Sequence, residues 1–294
     1  MTTRRANQEA RGQASAPVIC IGNLTMGGAG KTPTAMAIAA LLKQQGKTPF
    51  FLSRGYGGSL SGPVIVDDHG AEQVGDEPLL LKQIAPVCVS HDRVAGADLC
   101  VRQGADVIIM DDGFQNPHLY KDMSLLVVDG GYGHGNEKVF PAGPLREKLA
   151  SGLKRAHGVI MIGTDQTNSC ERIQAVSSNI PLMKADIQVE DRADLAGQKV
   201  VAFAGIGRPG KFFDTVQRLG CIICETVSFA DHHPYSLKEL IALQEQGERY
   251  GAKLLTTQKD WVRLPEEMRK HVDYVKISLV WQDQDVVKAL LASL

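Results

Sequence analysis

Lys31-Thr32, a lysine and threonine closing a glycine-rich run, is the most chemically explicit pair in this chain. The run is Gly22-Asn-Leu-Thr-Met-Gly-Gly-Ala-Gly-Lys-Thr32. Gly27, Gly28 and Gly30 let the backbone curl so that successive N–H groups point inward and make a nest for phosphate oxygens. Thr25, Met26, Gly27, Gly28, Ala29, Gly30, Lys31 and Thr32 are therefore the expected nucleotide cradle. Lys31 has the reach for β- and γ-phosphates, and the Thr32 hydroxyl suits a Mg2+ ion. The strict pattern G-x-x-x-x-G-K-[ST] asks for glycine where Thr25 stands, so this is a variant loop with an intact Gly-Gly-Ala-Gly-Lys-Thr core.

Acids and bases suited to the same chemistry lie further along. Asp111-Asp112 follows Ile-Ile-Met directly, the position of a Walker B pair that holds Mg2+ opposite Thr32. The following glycine also permits a plain turn. Asp76-Glu77 lies in a loop closed by Pro78, and both acids could simply favour the positive end of the following helix. Arg54, Arg146 and Lys148 could clamp phosphate or pair with surface acids. Asp231-His232-His233 lacks the i, i+4 spacing of helical metal ligands. It reads as a turn or cap, or as a histidine that orients a carboxylate base.

These residues need a scaffold that gathers them. Val18 to Ile21 reads as a buried strand, and Thr32 to Gln45 as a helix with Ala35, Ile38, Ala39 and Leu42 at helical spacing. A further strand at Thr48 to Leu52 completes a βαβ unit and predicts a parallel sheet. Ala105 to Met110, Leu125 to Val128 and Gly158 to Ile162 are continuous apolar runs, hence strands buried on both faces. The fold class is α/β: a P-loop NTPase-like parallel sheet with helices on both faces, plus a second, smaller α/β domain. We expect a disordered lead-in over 1–16, a nucleotide-binding and catalytic domain over 17–180, and the smaller domain over 181–294. In the latter, Leu182 to Val189 is a linking strand, Ser236 to Tyr250 a helix with a Ser236–Glu239 capping box, and Val272 to Ser278 a strand. Ligands of open parallel sheets sit beyond the carboxyl ends of the strands, where the polar motifs Gly27–Thr32, Ser53–Gly58, Asp111–Gln115 and Asp129–Gly131 fall.

Composition bounds the function classes. The 294 residues carry a formal net charge of −1, which gives no global steering toward nucleic acid. The six scattered cysteines read as reduced core residues of a cytosolic protein. Cys221-Ile-Ile-Cys224 has C-x-x-C form, but its β-branched filling suggests a strand with the two thiols on opposite faces. No apolar run approaches the roughly 18 residues of a membrane span.

The motif set resembles that of the tetraacyldisaccharide 4'-kinases, the lipid A 4'-kinases of bacteria with an outer membrane. It consists, in order, of Gly22 to Pro33, Leu52-Ser-Arg-Gly-Tyr-Gly-Gly58, Gly75-Asp-Glu-Pro78 and Asp111-Asp-Gly-Phe-Gln115. Pro141-Ala-Gly-Pro-Leu-Arg-Glu147, Ala204-Gly-Ile-Gly-Arg-Pro209, Asp231-His-His233 and Thr256-Thr-Gln-Lys-Asp260 follow. The resemblance implies transfer of the γ-phosphate of ATP, with Mg2+, to the 4'-hydroxyl of tetraacyldisaccharide 1-phosphate, giving lipid IVA. It implies Asp76 as general base with His232 as its partner, and Glu77, Asp111 and Asp112 at the Mg2+ site. It further implies Arg146 and Glu147 near substrate or phosphate, where Arg54 is also expected as a phosphate clamp, and a cytoplasmic protein peripheral to the inner membrane. Members of the family begin with an apolar membrane-docking segment, whereas residues 1–16 here are polar. Either the gene start is truncated, or docking falls to another surface, for which a helix over Leu145 to Arg155 offers Leu145, Leu149 and Leu153 on one face, unless that face is ordinary core. Two other readings compete. A metal-delivery or switch NTPase typically has lysine where Met26 stands, and a P-loop kinase for another sugar or metabolite would share the fold.

Overall fold

The computed structural model describes residues 10–294. Its strands, in chain order, begin with β1 (Val18–Gly22), β2 (Pro49–Ser53), β3 (Val64–Ile65), β4 (Val87–Val89), β5 (Val107–Asp111), β6 (Met123–Asp129) and β7 (Gly158–Ile162). They continue with β8 (Leu182–Val189), β9 (Lys199–Ala204), β10 (Ile222–Ser228), β11 (Lys253–Thr257), β12 (Val272–Val275) and β13 (Ile277–Trp281). Nine form one sheet in the order β13-β8-β7-β6-β1-β5-β2-β4-β3, and β10-β9-β11-β12 form a second. Only the outermost pairs, β13 with β8 and β3 with β4, are antiparallel.

Alternation along the central strands explains why they read as continuous apolar runs. Ile19, Ile21, Ile109 and Val127 belong to one core, under the helices α1 (Lys31–Gln44), α2 (Ala71–Val74) and α3 (Asp76–Leu81). Cys20, Ile108, Met110 and Val128 belong to the other, under α4 (Arg93–Arg102), α5 (Leu149–Leu153) and α6 (Ser169–Val176). The small sheet is flanked by α7 (Pro209–Arg218), α8 (Leu237–Tyr250) and α9 (Gln258–Trp261). After these come α10 (Glu266–Arg269) and α11 (Gln284–Leu291), and Val287 and Leu291 of α11 return to the first core of the large sheet.

The structure departs from expectation in four places. Val272 to Ser278 is two strands, because the chain passes at Lys276 from the small sheet (β12) to the edge of the large one (β13). Leu182–Val189 pairs with β7 and β13, so it belongs to the large sheet rather than to the smaller unit. The expected helix over Leu145 to Arg155 is only α5, and Leu145 and Leu153 are buried against the β6–β7 core. They are therefore unavailable to a membrane. Finally, residues 1–9 of the expected lead-in lie outside the described residues, while residues 10–16 are fastened. Tyr120 donates its N–H to the Gly12 carbonyl, and Ala16 is buried. All six cysteines are free, and none forms a disulfide.

Candidate active site

The glycine-rich loop emerges from β1, which lies between β5 and β6. Gly30 has φ +90° and directly precedes α1, so the loop closes onto a helix N-terminus, where N–H groups and dipole favour an anion. Register matters next. Ile21 of β1 pairs with Asp111 of β5, which brings the end of the acidic strand beside the loop. The Thr32 hydroxyl donates to Asp111 Oδ2 at 3.0 Å, and Lys31 Nζ lies 3.6 Å from Asp112 Oδ2.

The two aspartates differ in state. Asp111 is 3% exposed. Burial, reinforced by the nearby Glu77 charge, pushes its carboxyl up to about 7. Its Oδ1 has no hydrogen-bond partner. Burial also opposes ionisation of Asp112, but Lys31 and Arg146 outweigh it and hold that carboxyl below the usual range. Arg146 engages Asp112 through both terminal nitrogens, at 3.0 and 3.3 Å. Arg146 reaches this position because the segment before it straps the loop. Met26 N donates to the Pro144 carbonyl and Arg146 N to the Leu24 carbonyl, both at 2.7 Å.

Asp76 is the first residue of α3 and is buried. Its Oδ1 accepts from Glu77 N at 2.8 Å, within the first turn of the helix. Its Oδ2 lies 3.0 Å from His232 Nδ1. Arg263 Nε is 3.5 Å and Lys259 Nζ 3.9 Å from the same oxygen. Burial would raise the Asp76 carboxyl, but the His232 hydrogen bond, Lys259 and Arg263 together hold it low. Gly75, at φ +88°, is required here, since a Cβ would sit 2.4 Å from the Tyr56 carbonyl oxygen. The Tyr56 ring meets His232 edge-on at 5.1 Å.

Asp76, Glu77 and His232 offer donor atoms within 4.8 Å of one another, a spacing that a metal could exploit. Lys259 Nζ already lies 3.4 Å from Glu77 and 3.2 Å from His232 Nε2. With an ammonium there, the three do not bind a cation as a set, although the Glu77 charge also reaches Asp111. The unpartnered, buried Asp111 Oδ1 beside the Thr32 hydroxyl fits a divalent ion better.

The expected residues thus assemble with two exceptions. Arg54 is exposed and makes no ion pair among the described residues. Glu147 is 1% exposed. It accepts from Arg155 at 2.7 Å and from Gln115 at 3.2 Å. That burial suits a group that positions its neighbours, not one that touches substrate. Three cations escaped the sequence. Lys259 and Arg263 surround Asp76. Arg208 donates to the Gly28 carbonyl at 3.0 Å and pairs with Asp129. The strings around Lys259 and Arg208 stand among the motifs quoted above, but nothing in their spacing points at Asp76 or the glycine loop.

Similarities to known proteins place the chain in a family. The family model for tetraacyldisaccharide-1-P 4'-kinase matches residues 1–294. A tetraacyldisaccharide 4'-kinase of Methylorubrum extorquens is 50% identical over 279 residues, covering 94% of this chain and 85% of that one. One from Rhodospirillum rubrum is 49% identical, covering 94% and 84%. The crystal structure of LpxK from Aquifex aeolicus in complex with ATP superposes with a TM-score of 0.76 at 28% identity, covering 99% of this chain and 92% of that one. The chain belongs to the tetraacyldisaccharide-1-P 4'-kinase family.

Proposed function

We infer that this site transfers the γ-phosphate of ATP to the 4'-hydroxyl of a tetraacyldisaccharide 1-phosphate, a step of lipid A synthesis that yields lipid IVA. The observation that carries the role assignment is the buried Asp76 carboxylate, held ionised by His232, Lys259 and Arg263. A sugar hydroxyl is a weak acid, and a carboxylate in hydrogen-bond reach can take its proton as the oxygen attacks phosphorus. Asp76 is therefore the base and His232 the group that orients it. Lys31 neutralises charge on the transferring phosphoryl group, and the loop amides from Thr25 to Thr32 hold the phosphates.

Thr32 and Asp111 would hold Mg2+, with Glu77 as the further acid of the set. The ion supplies positive charge against the phosphate oxygens. Asp112 keeps Lys31 and Arg146 in place, so that Arg146 is poised beside the phosphates. Glu147 positions Arg155 and Gln115. The two sheets act as two units: residues 17–189 with 277–294 bind the nucleotide, and 199–275 complete the base. A tetraacylated substrate resides in a lipid surface, so the chain works as a peripheral protein on the cytoplasmic face of the inner membrane.

The test is a transfer assay with labelled ATP, tetraacyldisaccharide 1-phosphate in detergent, and a soluble sugar as control. Label should enter the lipid and not the sugar. Phosphorylation of the sugar alone would overturn the lipid assignment.

A further inference from the structure

Lys259 is bound up with the state of His232. Its Nζ lies 3.2 Å from His232 Nε2 and 3.4 Å from Glu77 Oε1. An ammonium has three donors and no acceptor. A ring nitrogen at that distance from it must be the accepting, unprotonated one. A neutral imidazole then carries its single proton on Nδ1, the atom 3.0 Å from Asp76 Oδ2. The opposite tautomer would set a donor against the ammonium and a lone pair against the carboxylate, and both hydrogen bonds would be lost.

We propose that Lys259 is a positioning residue that locks His232 in the Nδ1–H tautomer, so that His232 donates to Asp76 and leaves that carboxylate ready to accept the substrate's proton. Other charged groups around the ring are consistent with this. Asp231 Oδ1 is 3.8 Å from Nε2, too far to compete as its acceptor. Arg263 Nε sits 3.5 Å from Asp76 and, like Lys259, only donates.

The lysine arrives from the small sheet. Thr257 caps α9, and Gln258 donates to Gln83, beyond the end of α3, at 2.8 Å. Packing α9 against α3 therefore sets the tautomer as well as the position of His232. The lock is complete only when the two units are together, which ties the state of the base to their assembly.

This role presupposes Asp76 as the base, and the two can fail separately. The test is 15N NMR of the full chain labelled at histidine, with the His232 ring signals assigned by their loss in His232→Gln. The wild-type ring, where neutral, should show a protonated Nδ1 and a bare Nε2. Lys259→Met should shift it toward Nε2–H and lower kcat at least about tenfold, with KM for ATP changed less than about twofold. Lys259→Arg, whose guanidinium also only donates, should keep the Nδ1–H form and recover most of the turnover. A wild-type ring protonated at Nε2 would overturn the lock, whatever the folding of the variants. So would Lys259→Met with an unchanged ring and wild-type kcat. Turnover of Asp76→Asn reports on the base alone.

Discussion

Asp76 and Asp111 are both buried carboxylates, yet their surroundings push them in opposite directions. Asp111 has Glu77 near it and a single hydrogen bond from Thr32, so its charge is disfavoured, to about 7. Asp76 has His232, Lys259 and Arg263, which outweigh its burial, so its charge is kept. On the roles proposed above, two carboxylates separated in this way would take two tasks, one a cation and the other a proton. Asp76→Asn preserves shape and hydrogen-bonding size but cannot take the proton. We expect kcat to fall by about 10² to 10⁴, the usual contribution of a general base, with nucleotide affinity within about threefold of wild type. Single-turnover phosphoryl transfer and equilibrium binding of ATP measure the two separately. A variant with near-normal turnover would remove Asp76 from the role.

At the scale of elements, the site depends on where helices start. Asp76 can occupy the first position of α3 only because Gly75 turns with φ +88° against the Tyr56 carbonyl. Gly75→Ala places a methyl group 2.4 Å from that oxygen, in a backbone region that alanine avoids. The strain is on the order of 1–3 kcal/mol, and relief requires the start of α3 to move. We expect Gly75→Ala to lower kcat as well as the urea midpoint. A variant that lost stability while keeping full turnover would show that α3 need not be fixed so tightly. Local grammar of this kind was legible in the sequence. The strand–loop–helix order stands where it was expected, from β1 through Gly30 into α1, and Ser236 with Glu239 forms the anticipated capping box. The partnership of Asp76 and His232 came only through the family resemblance, because 156 positions separate them. Lys259 and Arg263 were not legible at all. Their role comes from docking α9 against α3, and no periodicity or spacing encodes a contact between two sheets. The split of Val272 to Ser278 was hidden for the same reason: adjacent apolar residues do not announce that the chain changes sheets between them.

At the scale of the molecule, a glycolipid must reach a site lying between two units, and the surface around the glycine loop is suited to a lipid interface. No helix among the described residues is long and apolar enough to cross a membrane. Near the loop, however, Phe140 is 62% and Met26 51% exposed. Phe140 lies in the strap and Met26 in the loop that it fastens: Phe140 N donates to the Leu145 carbonyl at 2.8 Å, and Met26 N to the Pro144 carbonyl. An ordered strap loses little entropy when its aromatic tip enters a bilayer. Lys138, Lys148 and Lys154 are exposed on the same stretch of chain and suit anionic headgroups. Burying a phenyl ring gives roughly 2 kcal/mol, and each lysine near an anionic surface about 1 kcal/mol. Such binding is reversible and salt-sensitive. The full chain should therefore pellet with anionic vesicles at low salt and release as salt is raised. Phe140→Asp adds a charge that the bilayer repels and removes the ring, so it should reduce pelleting at least tenfold. Turnover on substrate dispersed in detergent should stay near wild type, since the Phe140 side chain is exposed and the substitution leaves the backbone bond from Phe140 N to Leu145 in place. If Phe140→Asp pellets as the wild type does, the strap is not the docking face. If neither protein pellets, the chain reaches its substrate without binding the bilayer itself.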